Sequence, residues 1–511
     1  MKKILLSLSA IAFAACSLNA QTRYVDEVYT DAEIDIATDI PYSENYTVLY
    51  GDIDPTTPGP QFKLDTLLAD FYYPPYDATV GERPIVFVLH SGSFLPRYIN
   101  NSAVGYKDDS ATVEICKRFA KRGYVVMSMT YRMGWNPTSP DEDVRRSTII
   151  NAAYKGVQDL SAAIRFIKDE VVFLGNFNAI DTTKIALGGQ GTGSYITAAF
   201  SSLNSQDEIK IDKFRNVDGS IMVNDTIWGN RFGEGGAPGF NNTNWPGYTT
   251  DAHVSFQIGG ALGDSSWIDA GEIPLIWAHS VLDPFAPYKT GIVSVPGTTL
   301  QVVEATGGYD AIKSSSAQGN NKPYEGKVMD GYTHAIHAYN LDEDNKSMDG
   351  LYPIHGMANA SGPYEWYDTN TIKKLPLPPA TIQGILGGIR LSNPLHGKAK
   401  AMTYLDSVVG YIAPRVAVSL GLVDAVGINK VNLGSNVALG PVPAKDELFI
   451  YNNWDNSDLE SIEIRNLNGQ VVHTQDIHAK HTKLTLNLPT GMYVMHMQFN
   501  NGVGSKKFVI Q

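Results

Sequence analysis

The residues with the most chemical meaning in this chain lie between Lys184 and Phe200, KIALGGQGTGSYITAAF. Lys184–Leu187 is a short, mostly apolar run, Gly188–Gly193 is dense in glycine, and Ser194–Phe200 is a small-residue run able to wind into a helix. Strand, tight turn and helix are the setting in which G-x-S-x-G lifts a serine to the apex of a strained turn. Gly189 and Gly193 fill the two glycine positions, and Gly191 falls where the serine belongs. Acyl transfer through a covalent intermediate needs an activated oxygen or sulfur at that apex, and glycine supplies neither. Thr192 and Ser194 are adjacent, but such a turn directs only its apex side chain toward the cleft. The same glycines do not read as a nucleotide-phosphate loop. No Lys-Ser/Thr follows them, and the first strand–helix unit lacks G-x-G-x-x-G.

Two further segments stand at the ends of apolar runs. Ile85–Leu89 leads into His90-Ser91-Gly92-Ser93-Phe94, and Pro274–Ala278 leads into His279-Ser280-Val281-Leu282-Asp283-Pro284. Asp283 is either a carboxylate that orients a histidine or a cap before Pro284. His334, His337, His355 and His396 follow it in the chain. His355, next to Gly356 and ahead of the aromatic cluster Tyr364, Trp366 and Tyr367, is the first candidate for a base, and the other three stay open.

Positioning these residues requires a sheet buried on both faces. Ile85–Leu89, Tyr124–Met129, Ile185–Leu187, Ser220–Val223 and Pro274–Ala278 read as buried strands. Ser110–Arg122 and Gln158–Lys168 read as the helices between them, the second with Leu160, Ala163, Ile164 and Ile167 on one face. Alternation of strand and helix predicts an α/β domain with a mostly parallel sheet covered by helices. Before it, Tyr46–Tyr50 and Leu67–Tyr73 read as strands in an acidic, proline-punctuated stretch; after it, Tyr309–Met329 reads as loop and Met402–Leu422 as a last helix near Pro414. Asp342, Asp344 and Asp349 are spaced loosely like calcium ligands, but the order of a calcium loop is missing and a solvated acidic loop is the expectation.

Composition bounds the rest. An apolar fraction of 43% and a charged fraction of 18% are globular values, and a net charge of −13 argues against nucleic acid and anionic membranes as partners. The two cysteines cannot build a disulfide framework; Cys116 reads as a small apolar residue of its helix. Residues 1–20 read as a secretory signal: Lys2 and Lys3, an apolar run from Ile4 to Ala15, and a Leu18-Asn19-Ala20 cleavage site. Cys16 after Phe13-Ala14-Ala15 offers lipidation as the alternative. No later segment is long and apolar enough to suggest a membrane span. Residues 432–446 are rich in Gly, Asn, Ser and Pro and read as a linker; residues 447–511 break into short alternating runs with an Asn468-Gly469 hairpin signal, which predicts a small β-sandwich.

Two resemblances follow. The His90–Phe94 loop, the turn at Gly189–Gly193 and Asp283, in that order and each at a strand end, make about Tyr72–Leu422 resemble the α/β-hydrolase superfamily, nearest its carboxylesterase and lipase branch, within a domain of residues 21–431 that carries an acidic N-terminal extension. The resemblance implies an oxyanion hole from the backbone N–H groups of Ser91, Gly92 and Thr192, with Ser93 beside it, an acid at Asp283 and a later histidine as base. It implies no cofactor and no metal, and a small-molecule or polymeric ester-like ligand. With Gly191 at the apex it implies a degenerate, ligand-binding protein, or an active hydrolase using Ser91 or Ser93 instead. The C-terminal module resembles the type A sorting domain of the type IX secretion system of Bacteroidetes. Pro441–Asp446, Ile464-Arg465-Asn466, Leu488–Tyr493 and the closing Lys506–Ile510 carry the likeness. That implies contact with the secretion machinery and export across both membranes, to be released or held at the cell surface.

Overall fold

The computed structural model describes residues 22–49, 61–98, 100–296, 298–355, 361–426, 437–452, 459–466, 469–477, 479, 481–499 and 502–511. The expected signal segment, Cys16 and Asn468 lie outside them. The chain divides into a larger unit, residues up to 325 with 336–424, and a smaller one, residues 326–335 with 425–511.

The larger unit is built on an eight-stranded sheet. Its strands are β1 (Asp35–Leu49), β2 (Gln61–Tyr73), β3 (Arg83–Leu89), β4 (Val125–Met129), β5 (Ile180–Gln190), β6 (Val254–Ile258), β7 (Leu275–Ser280) and, after a hairpin of β8 (Gly291–Ser294) and β9 (Gln301–Ala305), β10 (Leu351–Ile354). The spatial order is β1-β2-β4-β3-β5-β6-β7-β10. β2 runs antiparallel to both β1 and β4, and every pairing from β4 to β10 is parallel. Every residue of β3, β4, β6 and β7 is buried, as a parallel sheet covered on both faces demands. The helices that cover it include α1 (Ser110–Lys121), α2 (Glu142–Phe173), α3 (Thr192–Ser202), α4 (Gly308–Ala317) and, after α5 (Pro379–Ser392), which packs in a separate cluster with Tyr98 and Ala103, α6 (Lys398–Ser419). α2 opens on Asp141, whose side chain accepts the Asp143 N–H, and α6 carries Pro414 within its span.

Two local expectations are corrected. Ser220–Val223 forms no strand, only a bridge from Ile221 to Arg215; the strand that follows β5 is Val254–Ile258. Residues 309–329 are not all loop, because α4 occupies their first turns. Of the three spaced aspartates, Asp342 takes the N–H groups of Asp344 and Lys346, and Asp349 pairs with Arg415 at 2.6 Å. Among the described residues no cluster of three metal-ligating side chains occurs. Cys116 is free and buried.

The smaller unit holds two antiparallel sheets, β11-β12-β15 and β14-β13-β16-β17. The strands are β11 (Val437–Gly440), β12 (Glu447–Asn452), β13 (Leu459–Asn466), β14 (Val471–Asp476), β15 (His481–Thr485), β16 (Gly491–Phe499) and β17 (Gly502–Ile510). Side chains from both sheets, among them Ile450, Leu484, Ile464, Met495, Met497 and Phe508, share one core. In β16 the alternate residues Tyr493, Met495, Met497 and Phe499 face inward, the period of two expected of a sandwich. β11 lies within residues 432–446 and pairs with β12, and residues 326–335 join this unit rather than the sheet domain.

Candidate functional site

The C-terminal ends of β3, β5, β6, β7 and β10 converge on one cavity of about 150 Å³, the end of an open parallel sheet where ligands bind. It is lined by Ser91, Ser93 and Phe94 after β3, Gly191 and Thr192 after β5, Gly259 and Gly260 after β6, and Asp283 after β7. Ser361, Gly362, Tyr364 and Glu365, beyond β10, close it. Ile149, Ile150 and Ala153 of α2 and Val302 and Val303 of β9 add an apolar wall.

Gly191 joins β5 to α3 with φ 54° and ψ −114°, a left-handed conformation that glycine tolerates and side chains resist. Its N–H donates to the Ile258 carbonyl at 2.9 Å, and its own carbonyl accepts from the Ser194 N–H at 3.0 Å. The sharp turn is held by close backbone approach: a Cβ on Gly193 would lie 2.2 Å from the Leu89 carbonyl oxygen, and one on Gly189 2.4 Å from the Gly193 carbonyl. A Cβ on Gly191 would lie 2.1 Å from Ser91 Oγ. The Ser91 hydroxyl therefore fills the space in which an apex side chain would begin.

The loop after β3 is pinned in an uncommon shape. Gly92, Ser93 and Phe94 all have positive φ, at 131°, 57° and 53°. The Gly92 carbonyl accepts from Asn100 Nδ2 and from the Leu95 N–H, both at 3.0 Å, and the Ser93 carbonyl from Trp135 Nε1 at 2.7 Å. His90 is fully buried and stacks on Tyr131 at 4.6 Å. Burial pushes its pKa down to about 4, so the ring is neutral. Its Nδ1–H donates to the Ser91 carbonyl. Tyr131 donates its hydroxyl to the His90 carbonyl at 2.9 Å, which leaves the Thr192 hydroxyl to donate to Tyr131, also at 2.9 Å. Ser194, on α3, is buried and bonds to the Gly189 carbonyl at 2.8 Å.

Asp283 accepts the N–H groups of Phe285 and Ala286 at 2.8 and 3.1 Å, and its other oxygen lies 3.7 Å from His279 Nε2. His279 Nδ1 accepts the Gly308 N–H at 3.2 Å, so the proton is on Nε2, which faces the Ala286 carbonyl at 3.3 Å. Both ring nitrogens of the nearest imidazole are thus engaged. His355 follows β10 but is exposed and stands against Tyr339 at 5.0 Å. His337 is exposed, and half-buried His396 meets the Tyr367 ring at 5.3 Å. None of these three lines the cavity, and His334 belongs to the smaller unit.

The group that sequence reasoning missed is Glu365. Its carboxylate accepts from Gln190 Nε2 at 2.7 Å and from the Tyr367 hydroxyl, and Gln190 in turn accepts from Thr112 at 3.0 Å. Burial raises its pKa to about 7, with Asp109 and Asp283 pushing the same way against the lowering by Tyr367 and Gln190. The signal was an acid set inside the aromatic run Tyr364, Trp366 and Tyr367. Its partner Gln190 lies 175 residues away, a separation no local pattern reveals.

A carboxyl that keeps its proton to about pH 7 in the folded state but releases it near 4.5 when unfolded makes stability fall as pH rises between those values, and stay level above them. Over that window the wild type is expected to lose about 3 kcal/mol relative to Glu365→Gln, the equivalent of the shift at ~1.4 kcal/mol per pH unit. Urea titrations of both proteins at pH 4.5, 6 and 8 measure this; parallel pH profiles would contradict it.

The sheet order and the strand–turn–helix at Gly191 define an α/β-hydrolase-type fold in the larger unit. Residues 439–511 match the family model of the secretion system C-terminal sorting domain. A domain of this kind marks its chain for export by the type IX machinery, to be secreted or attached at the cell surface. Among solved structures the chain is similar to esterase 2 of Thermogutta terrifontis phosphonylated by cyclosarin, at 15% identity and a TM-score of 0.34 over 74% of this chain and 95% of that one. The apo form of the same esterase gives 14%, 0.34, 74% and 96%. A lipase/esterase from Lactobacillus plantarum gives 11% and 0.28 over 48% of this chain and 80% of that one. No curated protein matches. Among the described residues no helix is long and apolar enough to cross a membrane.

Proposed function

We propose that this exported chain uses an esterase-type cavity to bind a small ester-like ligand without hydrolysing it. The observation that carries the reading is at the apex: Gly191 offers no nucleophile, and Ser91 Oγ fills the space its side chain would need. Two further facts support it. No histidine lines the cavity among the described residues, and His279, beside Asp283, spends Nδ1 on the Gly308 N–H and aims Nε2 at a carbonyl. A site with no activated nucleophile and no imidazole base retains at most about 10³–10⁴ over water from its oxyanion donors and binding. The N–H groups of Ser91, Gly92 and Thr192 would face a carbonyl oxygen, and the wall of Ile149, Ile150, Ala153, Val302 and Val303 would take the ligand's apolar part.

The position of Ser91 Oγ also favours one alternative, an active hydrolase with a displaced nucleophile. Ser91 would then lose its proton to Glu365, whose raised pKa suits a general base near neutral pH; Ser93 is the other candidate hydroxyl in this loop.

Calorimetric titration with p-nitrophenyl butyrate separates these readings from no binding at all. The binding reading expects saturable heat, ester recovered intact, and loss of the heat in Ala153→Trp, which fills the cavity. Rapid release of nitrophenol would transfer the case to the hydrolase, and absence of any saturable signal would remove the ligand site.

A further inference from the structure

A second cavity, of about 440 Å³, lies at the opposite end of the sheet strands. Its walls come from the late part of α2 (Arg165), the end of α3 (Phe200, Ser201), the loop carrying Arg231 and Phe232, and the segments entering β6 and β7. None of these residues lines the cavity at Gly191.

Arg165 is 1% exposed, yet its one hydrogen bond is from Nε to the Asn244 carbonyl, at 3.0 Å. No carboxylate lies within 4.0 Å of it among the described residues. The other buried arginines of this unit are provided for. Arg132 pairs with Asp159 at 2.8 Å and Arg415 with Asp349 at 2.6 Å. Arg83 and Arg145 lack an acid, but their terminal nitrogens end on backbone carbonyls. Among the described residues Arg165 is the buried arginine whose two terminal nitrogens go without a protein acceptor, and they are not sealed from the cavity.

Arg231, also on this cavity, is half-buried and has no ion pair among the described residues; its guanidinium rests on the Phe232 ring at 4.2 Å. Of the acids on this cavity, Asp251 is already bound to Lys168 and Thr249, and exposed Glu234 takes the Asn230 amide and acts on Arg165 only from beyond ion-pair distance. Burying a guanidinium without a partner costs several kcal/mol by general experience. A planar or tetrahedral oxyanion supplies the partner, because the guanidinium fork matches two of its oxygens at once.

We propose that this second cavity binds a small ligand through an oxyanion group, a carboxylate, phosphate or sulfate, held between Arg165 and Arg231. The hydroxyl of Thr250 stands by as a further donor, while that of Ser201 is spent on the Thr197 carbonyl at 2.6 Å, and Phe200, Phe232 and Ile273 add apolar wall for the rest of the ligand. The chain's net charge of −13 gives anions no general attraction, so binding must come from this local pair.

The test is calorimetric titration of the mature chain with inorganic sulfate, inorganic phosphate and acetate at fixed ionic strength, with chloride as the control. Melting shifts alone do not suffice, since sulfate and phosphate stabilise folded proteins generally. At least one of the three oxyanions should bind saturably where chloride does not, and the tightest of them assigns the headgroup. Arg231→Gln, a half-buried position whose change spares the fold, should weaken that binding by about tenfold, worth roughly 1.4 kcal/mol. Arg165→Met should abolish it while keeping the far-UV spectrum. Heats equal to chloride for all three, or the same affinity in Arg231→Gln, would overturn the proposal. Neither result touches the reading of the cavity at Gly191.

Discussion

Gly191→Ser should lower stability by about 1–3 kcal/mol, the usual cost of overpacking plus a side chain at positive φ, and should produce no measurable ester hydrolysis. The new Cβ would lie 2.1 Å from Ser91 Oγ and 2.9 Å from Ser91 Cβ. Rotating the Ser91 hydroxyl away relieves the first contact; the second needs a backbone shift in a loop already fixed by Asn100 and Trp135. Even a well-placed serine would meet no imidazole base, because His355 is exposed and His279 is engaged on both nitrogens. The double variant Ser91→Gly/Gly191→Ser should recover most of the lost stability and remain inactive. Urea denaturation and p-nitrophenyl butyrate turnover read the two halves of this expectation. Activity in the double variant would mean that a group other than histidine, Glu365 first among them, serves as base.

The second large effect concerns the glycines that let the turn exist. Gly193→Ala should cost about 3 kcal/mol, the upper part of the overpacking range. Its Cβ would meet the Leu89 carbonyl oxygen at 2.2 Å and the Leu89 carbonyl carbon at 2.7 Å. Both are backbone atoms of the central strand, buried and paired with β4 and β5, so neither can rotate aside. An unchanged urea midpoint for Gly193→Ala would show that α3 does not press on β3 as described.

The strands that sequence alone revealed are those whose burial is written as continuous apolar residues. β3, β4, the middle of β5 and β7 are of that kind, and the α/β core with its all-β tail was legible from them. β6 was not, because Val254-Ser255-Phe256-Gln257-Ile258 alternates like a half-exposed strand. Ser255 and Gln257 are nevertheless fully buried; Gln257 Nε2 donates to Ser255 Oγ at 2.6 Å, while Gln257 Oε1 has no partner among the described residues. A polar pair that pairs internally looks identical, in sequence, to a polar face in water. β10 was lost to its brevity, four residues with Pro353 among them. α4 was lost to the serines at 314–316, which are weak helix formers.

The candidate site was legible in the same uneven way. Ser91, Ser93, Gly191, Thr192 and Asp283 converge because each follows a strand end, which is local information. What completes the cavity is not local. Glu365 acquires its environment from Gln190 and Tyr367 only after β5 and the chain beyond β10 are brought together. The choice among four histidines turned on chain order, and order does not say which way a ring points.

The central claim is that this cavity holds its ligand without attacking it. Intact-mass analysis of the mature chain after incubation with a fluorophosphonate tests that claim most directly, since the reagent reports any activated serine. An unmodified mass with the fold intact is the expected result. A single phosphonyl adduct mapped to Ser91 or Ser93 would contradict it.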